Sequence, residues 1–301
     1  MARVLRIPGF VDLIRCDEPA EIQAVVAEPR FDRQFALAGP LLNRIIAGRI
    51  RRILVLDGKP LPAVAPRLDD ERVASQASLS SALAARGGEA PCDLQTLDRL
   101  AETLNGEADH TELGCVAQTA VGRLFVPGFS GTRETWRAAL VLDAAVRSFN
   151  PLRRVRWMLT GEVKAARTLL ATAMLSNATG LHAIGIAVHN LVESFARMAI
   201  LARSRDALAL VPADIAASRC LAAPSPVIRQ ASSAGMTAQG DFRPGTLVLL
   251  DLEAARARTL RSDMAFLTAG WSACPAHAWV PALLAAVWRH AANRSAPGAG
   301  G

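Results

Sequence analysis

The stretch Ala269-Gly-Trp-Ser-Ala-Cys-Pro-Ala-His-Ala-Trp279 sets one cysteine after a glycine turn and directly before a proline. An apolar helix is predicted to begin at Pro275 and to end at about residue 293, because proline suits a first helical turn, where its missing N–H has no intrahelical partner. Cys274 is therefore predicted at about the N-cap, where free N–H groups and the positive end of the helix dipole lower the pKa of a thiol. A thiolate in this position is a candidate ligand for a metal or a haem iron.

A serine nucleophile is the first alternative. Gly270-Trp-Ser-Ala-Cys274 nearly spells the G-x-S-x-G elbow of the α/β-hydrolases, but Cys274 takes the place of the last glycine. An elbow serine also needs its acid and its histidine later in the chain. Only His277 and His290 follow Ser272, both on the same predicted helix. This order counts against a hydrolase.

Two further alternatives concern Cys274 itself. Cys274-Pro-Ala-His277 is a zinc half-site, but structural zinc needs two more ligands and the sequence offers no second pair at a suitable spacing. Cysteine is also among the most often buried residue types, so Cys274 could fill space without reacting. On spacing alone, the inert cysteine is favoured over the metal ligand.

Composition limits the class of protein. The chain has 301 residues, of which 51% are hydrophobic and 20% charged, which is typical of a globular protein with a substantial core. The formal charge of +7 is almost entirely arginine, since Lys59 and Lys164 are the only lysines. No interleaving of aromatic and basic residues supports nucleic-acid binding, so no nucleic-acid partner is predicted. The basic balance favours docking with an acidic protein.

Helical patterns dominate the order of elements. The predicted helices cover residues 17–27, 41–53, 94–104, 111–124, 132–148, 161–174, 176–203 and 213–221, and strands are predicted at 11–15, 227–232 and 246–251. We therefore expect a single domain over residues 1–293, followed by a flexible tail over residues 294–301.

An uncharged stretch runs from Thr168 to Asn190 and is long enough to cross a membrane. Several polar side chains interrupt it, among them His182 and His189. A buried central helix is therefore predicted rather than a membrane span. Five cysteines at wide spacings form no disulfide framework, and the first residues lack the apolar core of a signal peptide, so the predicted compartment is the cytoplasm.

The cysteine segment resembles the haem-binding loop of the cytochrome P450 superfamily, whose pattern is F-x-x-G-x-R-x-C-x-G. Gly270 stands four residues before Cys274, Pro275 follows the cysteine, and Ala276 takes the place of the last glycine. The order of the other elements is similar as well. Residues 176–203 match the long central helix that lies over the haem, and Arg243-Pro-Gly-Thr-Leu-Val is similar to a P-x-G-T-x-V strand of the family.

The resemblance implies a mainly α, P450-like helical fold with a small β portion in the C-terminal half. It implies haem b as the cofactor and Cys274 as the axial iron ligand. The residues implied to contact the haem are Cys274, Gly270, Arg229, Arg243 and Gly185. His189 is the remaining candidate for proton transfer, although a histidine on a buried helix is more simply a satisfied polar group. The implied activity is haem-dependent oxidation of a small apolar molecule, of the monooxygenase or peroxide-using type, with electrons from an acidic partner protein.

Several positions depart from the family pattern. Leu267 and Ser272 replace the aromatic and the basic residue of the loop, and Ala216 stands where a glutamate pairs with the arginine of the E-x-x-R helix. Arg219 is left to find another acid or to face solvent. The acid–alcohol pair of the central helix has no equivalent, since Ala187 and Val188 cannot transfer protons. A degenerate, non-catalytic relative that binds a ligand or a protein is therefore the competing hypothesis.

Overall fold

The computed structural model describes residues 3–89, 91–104, 106, 109–148, 150–204, 206–238 and 240–295. The strands within these residues are β1 (Arg3–Ile7), β2 (Val11–Cys16), β3 (Phe31–Asp32), β4 (Val55–Leu56), β5 (Lys59–Pro60), β6 (Val227–Ala231), β7 (Gly235–Thr237), β8 (Gly240–Phe242) and β9 (Leu247–Leu250). The α-helices are α1 (Pro19–Ala27), α2 (Leu41–Ile53), α3 (Asp70–Glu89), α4 (Leu94–Leu104), α5 (His110–Gly122), α6 (Arg133–Arg147), α7 (Pro151–Thr160), α8 (Glu162–Ala173), α9 (Ala178–His182), α10 (Val188–Ala202), α11 (Ala207–Leu210), α12 (Ala213–Cys220), α13 (Leu252–Thr259), α14 (Ser262–Phe266) and α15 (Trp279–Ser295).

The chain divides into two compact units, each built from two stretches. The first unit combines residues 1–81 with 223–277, and the second combines residues 82–222 with 278–301. The single domain over residues 1–293 stays a prediction. The predicted tail begins too early, because Arg294 and Ser295 belong to α15. Residues 296–301 lie outside the described chain.

The first unit is organised by a five-stranded sheet in the order β1-β2-β9-β6-β3. β2 runs parallel to β9, with Leu13 opposite Leu247, and the other neighbouring strands are antiparallel. The side chain of Asn43 on α2 donates to the carbonyls of Asp12 (2.6 Å) and Gly245 (2.8 Å), which joins this helix to both parts of the sheet. Strands from both ends of the sequence therefore meet here, and the β portion is not confined to the C-terminal half.

The second unit is helical within the described residues. Trp136 on α6 is 1% exposed and packs against Gly114 on α5, where an added Cβ would overlap the indole ring. The predicted helix over residues 176–203 consists of α9, a π-helical segment (Ala183–Ala187) and α10. By length and composition, Ala178–Ala202 could cross a membrane, and 50% of its most apolar window is buried inside the protein.

The π-helical segment is held by a buried amide. The side chain of Gln118 on α5 is fully buried, and its Nε2 donates to the Ile184 carbonyl (2.9 Å) and to the Thr135 carbonyl (3.2 Å). Its Oε1 accepts from the Thr135 hydroxyl (2.8 Å). π-Helical segments interrupt the regular ladder of backbone hydrogen bonds, so a side-chain donor at this point stabilises the irregular turn.

Candidate functional site

The cysteine loop begins where α14 ends. Leu267 adopts a left-handed conformation with φ near 51°, which turns the chain away from the helix. The loop closes on itself because the Cys274 N–H donates to the Phe266 carbonyl at 2.7 Å. Cys274 is thereby held at a defined place although it lies outside regular secondary structure.

The predicted N-cap position of Cys274 is wrong. Pro275–His277 is a short 3₁₀ turn, and α15 begins only at Trp279. Burial raises the pKa of the Cys274 thiol, while the Ala276 N–H and the Arg33 guanidinium oppose this rise. The predicted lowering of this pKa therefore does not occur, because desolvation outweighs a helix end that is one short turn. The thiol is protonated at neutral pH in the ligand-free protein.

The geometry disfavours the serine nucleophile and the zinc site. The hydroxyl of Ser272 accepts a hydrogen bond from Arg229 Nη2 at 2.8 Å, so its described side-chain partner is a cation and not a base that could activate it. A ring nitrogen of His277 (Nδ1) lies 3.1 Å from the Cys274 carbonyl. No group of three or more potential metal-ligating side chains occurs among the described residues, which gives zinc no closed site there.

Four arginines surround the indole of Trp271, and together we call them the arginine cluster. The guanidinium carbons lie 4.9 to 5.8 Å from the ring centroid, and the residues are Arg33, Arg67, Arg72 and Arg229. Such cation–π contacts stabilise cations that are removed from water. The cluster comes from distant parts of the sequence. Arg33 and Arg229 lie beside or on the paired strands β3 and β6, whereas Arg67 lies in the turn before α3 and Arg72 lies on α3.

Most of the described partners of the cluster are neutral. Arg33 Nη2 donates to the Ser272 carbonyl at 2.9 Å, and Arg229 Nη1 donates to the Ile228 carbonyl at 2.9 Å. Burial lowers the pKa of Arg33 to about 10, with the charge of Arg72 adding to this effect. Burial also lowers the pKa of Arg229 well below its usual value, and the charge of Arg33 contributes. Asp32 opposes both shifts, but one carboxylate does not balance four cations.

Three guanidinium nitrogens of the cluster are buried without a hydrogen-bond partner. They are Arg33 Nε, Arg67 Nη1 and Arg229 Nε. Buried donors are nearly always paired in proteins, so these atoms indicate that an acceptor belongs beside them. A thiol next to surplus cations fits a group that combines a thiolate-binding metal with carboxylates, and haem is such a group.

Gly270 has a packing role. A Cβ added there would overlap Val26 Cγ1 on α1. The resemblance implies a haem contact at Gly270, whereas the structure accounts for this glycine by the close approach of the loop to α1. We expect Gly270→Ala to lower the free energy of unfolding by about 1–3 kcal/mol, as overpacking of a core does.

Denaturation in urea measures this effect. Val26→Ala removes the overlapping methyl, so the double variant should be no less stable than Val26→Ala alone. An additive loss in the double variant would show that Gly270 is needed for another reason.

Gly185 and His189, which were predicted to serve the haem site, are packed against neighbouring helices of the second unit. A Cβ on Gly185 would lie 3.1 Å from Leu142 and from Leu170, which places this glycine against α6 and α8. His189 Nε2 lies 3.2 Å from the Ala139 carbonyl, and its ring centroid is 4.9 Å from that of Trp136. Burial lowers the pKa of His189, so the ring is neutral at pH 7. These contacts favour the simpler interpretation of His189 as a satisfied polar group.

Two other arginines from the sequence analysis face solvent. Arg243 is exposed in the turn before β9, and its N–H donates to the Thr246 hydroxyl at 3.0 Å. The structure therefore gives no support to its predicted cofactor contact. Arg219 is exposed on α12, while Ala216 on the same helix is fully buried. Arg219 therefore faces solvent, which is one of the two outcomes expected for it.

Most of the arginine cluster was not predictable from the sequence. Arg229 was predicted, but Arg33, Arg67 and Arg72 were not. Arg33 comes directly after β3, which pairs with β6, the strand that carries Arg229. The pairing of these two strands brings the two arginines together, and no continuous stretch of sequence reports that pairing.

A groove of about 710 Å³ lies in the second unit between α6 and α8. Its lining is mostly apolar, with Glu134 and Lys164 as the charged residues. No residue of the predicted central helix (residues 176–203) lines it.

Solved structures share the arrangement of elements described above. Full-length CYP116B46 from Tepidiphilus thermophilus matches 93% of this chain with a TM-score of 0.60 and 14% identity, and this chain spans 45% of that one. P450BioI, in complex with an acyl carrier protein ligated to hexadec-9Z-enoic acid, matches 98% of this chain with a TM-score of 0.58 and 14% identity, over 88% of its own length. The cytochrome P450 CxnD, an enzyme for C–S bond formation in chuangxinmycin biosynthesis, matches 93% with a TM-score of 0.60 and 13% identity, over 80% of its length.

The chain has the cytochrome P450 fold. No protein-family model and no curated protein matches the sequence. Sequence identity at this level establishes the P450 fold alone, and the activities of the neighbours are statements about those proteins. Cys274 lies in the segment whose sequence resembles the haem-binding loop of the family, and Arg33 and Arg229 contact Ser272 in the same segment.

Proposed function

We propose that the protein binds haem b through the Cys274 sulfur and acts as a haem-thiolate oxidoreductase on a small apolar molecule. The observation that carries the proposal is the position of this thiol next to buried arginine donors that lack acceptors. Iron takes one ligand from the protein in such a site, so a single cysteine suffices. The P450 fold supports this assignment.

The residues of the chain would have separate tasks. Cys274 would hold the metal as a thiolate, and Arg229 would bind a haem carboxylate through its free Nε. When bound, a thiolate-ligated haem supplies iron chemistry that favours O–O cleavage. Substrate oxidation would need electrons from an acidic partner protein in the cytoplasm, or peroxide in their place.

Proton delivery is the weak part of an oxygen-dependent reaction. Ala187 and Val188 carry no transferable proton, and His189 is packed against α6 as a neutral ring. A peroxide-using reaction places less demand on such a relay and is the form of the activity that we favour.

A non-catalytic scaffold is the second candidate. Three positions favour it, since Leu267, Ser272 and Ala216 lack the functional groups of the family pattern. Such a protein would keep the P450 fold for binding a ligand or a protein partner.

An absorbance spectrum separates the two candidates. Protein purified after expression with added haem precursor, reduced under carbon monoxide, should give the red-shifted Soret band of a thiolate-ligated haem. Turnover of peroxide with a small apolar substrate would then identify an enzyme. If haem never loads, the oxidoreductase proposal falls and the scaffold remains.

A further inference from the structure

Ser272 stands at a position of the cysteine loop where the family pattern has a positively charged residue. Serine supplies only a hydroxyl at this position. The Ser272 side chain is 6% exposed and its hydroxyl accepts from Arg229. The loop therefore offers no positive charge of its own, and any such charge must come from another element.

Arg33 reaches the same residue from the end of β3. Its Nη2 donates to the Ser272 carbonyl at 2.9 Å and its Nη1 donates to the Pro62 carbonyl at 3.2 Å. The guanidinium also lies over Trp271, with its carbon 4.9 Å from the ring centroid. Three contacts thus fix its plane, and its Nε remains buried without a partner.

The neighbouring carboxylate is used elsewhere. Asp32 accepts from the backbone N–H of Arg33 at 2.5 Å and from the backbone N–H of Arg67 at 3.1 Å. These bonds hold the two segments together. They leave the guanidinium of Arg33 with carbonyl oxygens as its described hydrogen-bond partners, so its charge is available to a ligand.

Arg229 completes the arrangement. It is 3% exposed, it donates to the Ser272 hydroxyl while Arg33 donates to the Ser272 carbonyl, and its Nε is a second buried donor without a partner. Two fixed guanidinium groups with free donors are suited to a carboxylate or another oxyanion, because such donors bind planar anions through paired, charge-assisted hydrogen bonds.

We propose that Arg33 replaces the missing cation of the cysteine loop and that Arg33 and Arg229 together form a carboxylate-binding site beside Ser272. This inference rests on the proposed function where the carboxylate is that of a bound haem. A free oxyanion has the same chemistry and is the other source that the experiment distinguishes.

Two variants and two ligands test the proposal. Arg33→Gln removes the charge and keeps most of the side chain, and Arg44→Gln is the matched control at an exposed position of the same unit. Each protein is titrated with haem b and with haem dimethyl ester, which lacks free carboxylates. We expect Arg33→Gln to weaken binding of haem b about tenfold or more and to change binding of the ester less than about twofold. Arg44→Gln should change neither.

The haem-free protein provides a second readout. Inorganic phosphate should change the tryptophan fluorescence of the wild type, because Trp271 lies against the cluster, and Arg33→Gln should reduce this response. Arg33→Lys keeps the positive charge but loses the planar, two-nitrogen donor geometry of the guanidinium group. Its haem affinity and its fluorescence response to phosphate should therefore lie between those of the wild type and Arg33→Gln, and it serves as the test variant if Arg33→Gln does not fold.

The outcomes separate this inference from the proposed function. If haem b binds through Cys274 but Arg33→Gln weakens haem b and its ester equally, or behaves like Arg44→Gln, the role of Arg33 is overturned and the haem proposal stands. If haem never binds but the fluorescence response to phosphate still depends on Arg33, the oxyanion site stands and the haem proposal falls. If neither haem nor phosphate binds, both the haem proposal and the proposed carboxylate-binding site are contradicted.

Discussion

Haem affinity is expected to rise about tenfold for each unit of pH between about 7 and 8.5, because the bound sulfur is a thiolate and the free one is a thiol. Burial raises the pKa of Cys274 in the ligand-free protein, so binding must release one proton over this range. The sign follows from that release, since fewer protons in solution favour the ligated state. Equilibrium titration with haem at constant ionic strength measures the slope.

Cys274→Ala is the control for this slope. The variant has no thiol to deprotonate, so its affinity should be nearly independent of pH and its reduced carbon monoxide complex should lack the red-shifted band. A wild-type affinity that is flat over the same range would show that the sulfur is not the ligand. Burial also raises the pKa of Cys16 and of Cys92 to about 12, so any of these thiols would release a proton on binding iron, and loss of the slope in Cys274→Ala is what assigns the proton to Cys274.

Gln118→Leu is expected to lower the free energy of unfolding by about 2–4 kcal/mol, because it removes a buried hydrogen-bond network. The amide of Gln118 is the described donor to the Ile184 carbonyl (2.9 Å) and to the Thr135 carbonyl (3.2 Å). Leucine has a similar size and cannot donate, so these carbonyls would lose a partner inside the protein. Urea denaturation followed by circular dichroism measures the loss.

Gln95→Leu is the matched control, since Gln95 is exposed on α4. Its effect should stay within about 0.5 kcal/mol. Thr135→Val, which removes the hydroxyl bonded to Gln118 Oε1, should cost about 1–2 kcal/mol, and its effect should not add fully to that of Gln118→Leu. Full additivity would show that the two side chains do not act as one network.

The helices with clear apolar periodicity were predicted well. α4 coincides with the predicted residues 94–104, and α6 differs from 132–148 by one residue at each end. α3 was not among the predicted helices. It covers Asp70–Glu89 and carries Gly87 and Gly88 near its end, where the glycines predict a loop. Gly87 lies against the Ala278 carbonyl, 3.2 Å from where its Cβ would be, so packing overrides its local preference.

The candidate site was predicted in part. Cys274 could be predicted because the loop pattern that contains it is continuous in the sequence. Arg229 could be predicted because it lies in a predicted strand, residues 227–232. Arg33 could not, since its relation to Ser272 depends on the pairing of β3 with β6 and on the path of the cysteine loop. The thiol pKa was predicted in the wrong direction, because burial is a property of the packed molecule and no local motif reports it.

The helices with clear apolar periodicity, such as α4 and α6, and the placement of Cys274 behind Gly270 were determined by the sequence alone, because hydrophobic periodicity and proline and glycine positions act over short distances along the chain. The arginine cluster, the neutral state of the Cys274 thiol and the packed state of His189 were decided only by the tertiary structure. These properties depend on which distant groups are brought together and on how much water they lose, and both quantities arise when the chain packs.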